Sequence, residues 1–229
     1  MKRVVLQLVL TAFLVGLAHL AHATTDELKL TSGGAATVTI VDNGVGDLNP
    51  AGGTILYSNT NFDGWDISFA GGTSNSPSVS PFGIDIGSLT ARCLSGGGCT
   101  TDALSISYSD IGFTDPVAAF TNTFSSTIAS GSASQIAWDD TSNTIFGTGT
   151  PIGTVRLLSA PFGAGSKSGG GPAGPGTYSL TLKDTIGANS QGVSLDGSIT
   201  AVPEPQTLVL FGSGLISLAG LMRRKLVRA

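Results

Sequence analysis

The chain has 229 residues, a formal net charge of −4, only 11% charged residues and 33 glycines. Between Thr24 and Val202 five basic residues (Lys29, Arg92, Arg156, Lys167 and Lys183) stand against fourteen acidic ones. That balance argues against nucleic acid or an anionic membrane surface as a partner of this stretch.

Met1-Lys2-Arg3 opens the chain with positive charge, and an apolar run follows from Val4 to Leu20. Ala21-His22-Ala23 closes that run with small residues three and one positions before the next segment. This is the anatomy of a cleavable secretory signal, so residues 1–23 are expected to form a signal helix. The Sec translocon and signal peptidase would handle it, cutting after Ala23. Both histidines, His19 and His22, lie inside this segment. The mature body would then lack the commonest general base and metal ligand, and no catalytic residue is assigned to it.

From Thr24 to Ala201 the pattern has a period of two, interrupted by Gly, Asn, Asp and Pro. Ala36–Val41, Thr54–Ser58, Trp65–Ala70, Ala103–Ser109, Tyr178–Lys183 and Val193–Thr200 read as strands. Short alternating runs separated by turn residues predict an all-β fold, with residues 24–201 as one antiparallel β-sandwich-like body. Trp65 shares a face with Ile67 and Phe69 and reads as core. Tyr178–Lys183 and Val193–Thr200 read as a closing hairpin, whereas Gly163–Gly176 reads as a flexible loop. Thr121–Ser134 fits either a loop or a polar strand pair.

Cys93 and Cys99 enclose Leu-Ser-Gly-Gly-Gly. In an exported chain this spacing predicts a disulfide that clips a local loop. The Asp/Asn-rich run Asp42–Asn49 raises the question of calcium. Glycines occupy the positions where an EF-hand loop needs ligands, so a turn between strands is expected, with no metal site and no cofactor. Ser166-Lys167-Ser168 lacks the glycine and the following helix of a phosphate-binding loop. Trp138, beside Asp139 and Asp140, is the surface aromatic that would suit a sugar. Tyr57, Tyr108 and Tyr178 are further candidates for such a face.

The end of the chain carries the clearest signal. Val202-Pro203-Glu204-Pro205 precedes sixteen uncharged residues, Thr207–Met222, and then Arg223, Arg224, Lys225 and Arg228. As a helix that run would measure about 24 Å, short for a hydrocarbon core near 30 Å but workable with basic residues reaching the interface. The basic tail at 223–229 would stay in the cytoplasm, placing the body outside.

This arrangement resembles the PEP-CTERM sorting signal of Gram-negative bacteria, also catalogued as an ice-binding protein C-terminal domain. The resemblance covers the stretch from Val202 to the basic tail. It implies that Pro203-Glu204-Pro205 is read by a membrane-embedded exosortase, that 207–222 is a transmembrane helix, and that processing follows an inner-membrane intermediate. Family members accompany exopolysaccharide and biofilm, so the expected product is a structural or adhesive protein of the cell surface or matrix. A polysaccharide-binding or carbohydrate-active sandwich is the alternative. No regular Thr array suited to an ice face is visible in the strand sequences.

Overall fold

In the computed structural model the described residues are 25–76, 78, 79, 83–158, 162–171, 176–202 and 213. The signal segment with Ala21 and Ala23, and the terminal stretch with Pro203, Glu204, Pro205, Arg223, Arg224 and Lys225, lie outside them. So does the expected helix 207–222, apart from Ser213, whose backbone is helical. Among the described residues no helix is long and apolar enough to cross a membrane.

The strands in chain order are β1 (Glu27–Ser32), β2 (Val38–Val41), β3 (Thr54–Phe62), β4 (Trp65–Ser74), β5 (Ile84–Cys93) and β6 (Leu104–Phe113). They continue with β7 (Ala119–Ser130), β8 (Ser132–Asp140), β9 (Thr150–Leu158), β10 (Phe162–Gly169), β11 (Tyr178–Ile186) and β12 (Gln191–Val202). One sheet has the order β2-β1-β6-β11-β8-β9 and the other β10-β7-β12-β5-β4-β3. Every pairing is antiparallel. The expected all-β sandwich is the fold of the body.

The core follows from the alternation. Leu28 and Leu30 of β1, Leu180 and Leu182 of β11, and Ile106 and Tyr108 of β6 face inward from the first sheet. Val193, Leu195 and Ile199 of β12, with Phe120, Phe124 and Ile128 of β7, face them from the second. Trp65 and Ile67 are fully buried, as the β4 pattern predicts, while Asp66 on the opposite face pairs with Arg92 at 2.8 Å. Each buried Leu, Ile or Phe side chain contributes about 1.5–3 kcal/mol relative to exposure. The facing rows therefore supply the main favourable term.

Two expectations are corrected. β11 and β12 are not a hairpin, because β11 pairs with β6 and β8 and β12 pairs with β5 and β7. Gly187–Ser190 arches from one sheet to the other, with Asn189 at φ 56° and the Ser190 hydroxyl donating to the Gly187 carbonyl at 2.6 Å. Alternation shows which face a residue takes and leaves the partner strand open, and here both strands turn apolar faces to one core. The second correction concerns Gly163–Gly169, which forms most of β10. Its backbone pairs with β7 from Phe162↔Thr127 to Gly169↔Phe120. Thr121–Ser134, which sequence left between two readings, belongs to β7 and β8 with Gly131 at the turn.

The registers also fix the two ends of the sandwich. Glu27 opposes Ser109 near the end of β6, and Val202 opposes Ala119 at the start of β7. Tyr178 opposes Phe113, and Ile199 opposes Ile84. Both limits of the body, Thr25 and Val202, therefore emerge at one pole.

The Cys93–Cys99 disulfide lies at the other pole, with Cα atoms 5.5 Å apart and both residues buried. Its loop passes against the β3–β4 turn. The Cys99 amide donates to the Asp63 carbonyl at 2.9 Å, and a Cβ on Gly64 (φ 81°) would strike the backbone of Gly97. Closing so short a loop contributes about 2 kcal/mol on the chain-entropy estimate. Replacing both Cys93 and Cys99 by Ala is expected to lower unfolding stability in urea by about that amount without loss of fold. Maleimide should label no thiol in the unreduced parent protein under denaturing conditions.

Candidate functional site

The described polar groups fall into an interior layer, a turn and two outer faces. In the interior, Asp184 of β11 and Gln135 of β8 oppose each other and are both fully buried. Gly197 of β12 lies across the core from them, and a Cβ there would collide with the Gln135 amide. Burial raises the Asp184 pKa to about 7; the Gln135 amide opposes the rise, and the charges of Asp196 and Asp85 add to it. Asp85 is lifted to about 6 by burial and by Asp196. Asp110 also reaches about 6 through burial, partly offset by the Ser74 hydroxyl at 2.5 Å and the Ile111 amide at 2.7 Å. The Tyr108 hydroxyl donates to Asp26 at 2.6 Å, and burial with that carboxylate raises its pKa well above normal.

The run Asp42–Asn49 is a turn, as expected. Asp47 accepts the amides of Asn43, Asn49 and Leu56 at 2.9–3.0 Å, and Asp42 accepts the Gly53 amide at 3.0 Å. Among the described residues no three His, Cys, Asp or Glu side chains are grouped to hold a metal ion.

The candidate sugar-binding aromatics are repositioned. Tyr57, Tyr108 and Tyr178 are buried and line no surface. Trp138 is half-buried on the outer face of the first sheet, in register with Thr181 and Pro151. Asp139 points inward, because neighbours on a strand alternate faces, and is fully buried. Asp140 accepts the Ser142 amide at 2.9 Å. The chain then folds Ser142–Gly147 over this face. The Phe146 amide donates to the Ser109 hydroxyl at 3.0 Å, and the Ser179 hydroxyl donates to the Thr144 carbonyl at 2.8 Å. Phe146, at φ 55°, holds its ring 3.8 Å from the Lys29 ammonium. As a result Ser109, Ser179 and Thr181 are buried beneath the protein's own loop.

Among the described residues nothing is laid over the outer face of the second sheet in this way. Thr121, Thr123, Ser125 and Thr127 of β7 alternate with core residues and face outward. Ser194, Asp196, Ser198 and Thr200 of β12 oppose Thr127, Ser125, Thr123 and Thr121 in turn. On the other side of β7, Phe162, Ala164, Ser166 and Ser168 of β10 continue the same rows. Thr121 and Ser168 hydroxyls lie 3.0 Å apart, and Thr123 and Ser198 hydroxyls 2.7 Å apart. Regular hydroxyl rows therefore exist. β7 carries one along its own length, and register with β10 and β12, strands distant in sequence, extends it across the sheet.

β12 leads from this sheet directly into the terminal segment. Its last residues, Ala201 and Val202, are still paired with Phe120 and Ala119. Residues 201–225 match the model of the PEP-CTERM protein-sorting motif. The chain carries that sorting signal. The PEP-CTERM segment thus begins inside the last strand of the body.

No curated protein matches the chain. Among solved structures it is similar to the carbohydrate-binding module TmCBM61 in complex with beta-1,4-galactotriose, at 9% identity and TM-score 0.34, over 69% of this chain and 92% of that one. A family 11 carbohydrate-binding module of a cellulosomal cellulase from Clostridium thermocellum aligns at 13% identity and TM-score 0.32, over 70% and 94%. The enzymatically active domain of bacteriophage CBA120 tailspike protein 4 aligns at 11% identity and TM-score 0.34, over 63% of this chain but 21% of that one. Likenesses at these scores carry no functional argument.

The interior carboxyl makes stability depend on pH. A folded pKa near 7, above the ordinary carboxylate value, means that the fold holds a proton the unfolded chain has released. The stabilisation is complete below about pH 4 and disappears as pH rises through about 7. The melting temperature of the body is therefore expected to be higher at pH 5 than at pH 8. Asp184→Asn should remove much of that difference by raising the value at pH 8.

Proposed function

We propose that this chain is an exported protein processed by an exosortase, and that its sandwich is a non-enzymatic structural or adhesive domain of the cell surface or extracellular matrix. The sorting signal at 201–225 carries this reading. It implies export through the membrane of a Gram-negative bacterium. Geometry supports the same reading, because Thr25 and Val202 leave the body at one pole, where an N-terminal signal and a C-terminal helix would each meet the membrane. A cytoplasmic basic tail at Arg223, Arg224 and Lys225 would hold the intermediate in place until cleavage. The polar outer face of the second sheet would then be presented to exopolysaccharide.

The absence of histidine from residues 24–229 supports a non-catalytic body. The buried carboxyls serve the fold, since Asp110 and Asp26 accept hydrogen bonds from Ser74 and Tyr108. Contact with polysaccharide requires no bond-breaking group.

Replacing Pro203, Glu204 and Pro205 by Ala together is expected to leave full-length protein in the inner membrane. Fractionation with intact-mass analysis would show the parent protein starting at Thr24 and shortened at its C-terminus, against a variant that keeps residues 203–229. Equal processing of the two would overturn the sorting assignment.

A further inference from the structure

The geometry points to a binding site for a neutral polysaccharide on the outer face of the second sheet, with Phe162 as its stacking platform and Asp196 as its hydrogen-bonding centre. This rests on the reading of the body as a matrix protein and locates the contact. Phe162 is 80% exposed, an unusual place for a phenyl ring on an otherwise polar surface. It stands at the start of β10, in the row of Thr127 and Ser194. One row further along, Ala164 and Ser125 lie beside Asp196, roughly 7 Å from the Phe162 row at the rise of a strand. The small side chain of Ala164 and the glycine after it leave a trough of about 410 Å³, bordered by Thr123, Ser125, Ser166 and Asp196.

The shape of the trough is set locally. Asp196 falls at a register shift between β12 and β5, where Leu195 opposes Leu89 and Gly197 opposes Ile86. Gly87 and Ser88 make up the extra length on β5, and Ser88 takes φ 55°. Such a bulge bends the strand and re-aims the neighbouring side chain. Asp196 is exposed, and Thr123 and Ser198 bond to each other beside it.

The chemistry of the trough and of Phe162 in the neighbouring row selects the occupant. An aromatic face takes the apolar C–H face of a sugar ring, and a carboxylate flanked by hydroxyls accepts and donates to the ring's hydroxyl groups. Charge narrows the choice further. Asp196 and nearby Asp85 are both acidic, and Lys167 turns away, its Cβ lying toward Gly153 of β9. Among the described residues no cation borders the trough, and Arg92 on the same face is paired with Asp66. An anionic polymer would meet like charge, so the fitting partner is uncharged. On the opposite face the Ser142–Gly147 loop lies over the row that runs from Trp138 through Thr181 to Ser109, and both hydroxyls of that row are buried.

Affinity electrophoresis of the processed protein tests the site. Gels would contain the neutral or the acidic polysaccharide fraction extracted from the producing cells, or hydroxyethyl cellulose. Retardation by the neutral fraction or by hydroxyethyl cellulose is expected, with no retardation by the acidic fraction. Phe162→Ala and Asp196→Asn should each weaken that binding at least ten-fold, and Trp138→Ala should leave it unchanged. Both altered side chains are exposed. Phe162→Ala should therefore melt with the parent and Asp196→Asn at or above it, since its charge no longer raises Asp85 and Asp184. Neither result leaves a folding defect to explain lost binding. Migration unaffected by every neutral polymer would overturn the site, as would retained binding in both variants or a loss confined to Trp138→Ala. Failure of the sorting assignment would appear separately, as unchanged processing of the 203–205 variant.

Discussion

The position of β12 between β7 and β5 is the constraint on which the rest of the molecule depends. Its ladder with β7 runs from Gln191 to Val202, and its ladder with β5 from Val193 to Ile199. Without it the second sheet would separate into β10-β7 and β5-β4-β3, and Val193, Leu195 and Ile199 would vanish from the core. The same strand carries Asp196 on its outer face and hands over to the sorting signal at Ala201. Core, surface and export segment thus share twelve residues. A change in strand register here would exchange the inner and outer faces, which is why the alternation must be strict.

The two outer faces differ by what the chain lays over them. Between β8 and β9 the connection turns back over the first sheet, and its carbonyls and amides occupy hydroxyls of β6 and β11. On the second sheet Thr121 pairs with Ser168 and Thr123 with Ser198 across strands, and among the described residues nothing is laid over them. The first arrangement thickens the fold. The second leaves a hydrogen-bonding surface whose groups are already held in place, so ordering them on binding costs little.

Much of this was legible in the sequence, and the gaps have physical causes. Period-two runs revealed β2, β3, β4, β6, β11 and β12 and placed Trp65 and Ile67 inside, but β1, β5 and β9 went unread. The short Cys93–Cys99 loop announced its disulfide, and Val202-Pro203-Glu204-Pro205 with its basic tail announced the sorting signal. β10 was hidden because its glycines and serines carry no apolar alternation, and backbone pairing with β7 alone defines it. The arch between β11 and β12 was hidden because four turn residues serve a hairpin or an arch equally well. Trp138 attracted attention by its acidic neighbours, one of which points into the core. Phe162 attracted none, since its role depends on lying beside residues more than thirty positions away.

The separation between β5 and β12 bears on the order in which this protein takes shape. Ala91 and Val193 are partners, yet a hundred residues lie between them. A chain threaded outward from its beginning would release β5 and β7 long before the strand that joins them. Both would wait with one edge unpaired, and unpaired edges invite pairing with other chains. The joining strand arrives immediately ahead of the segment that resembles a membrane anchor. The second sheet can therefore close only when the last strand of the body has emerged.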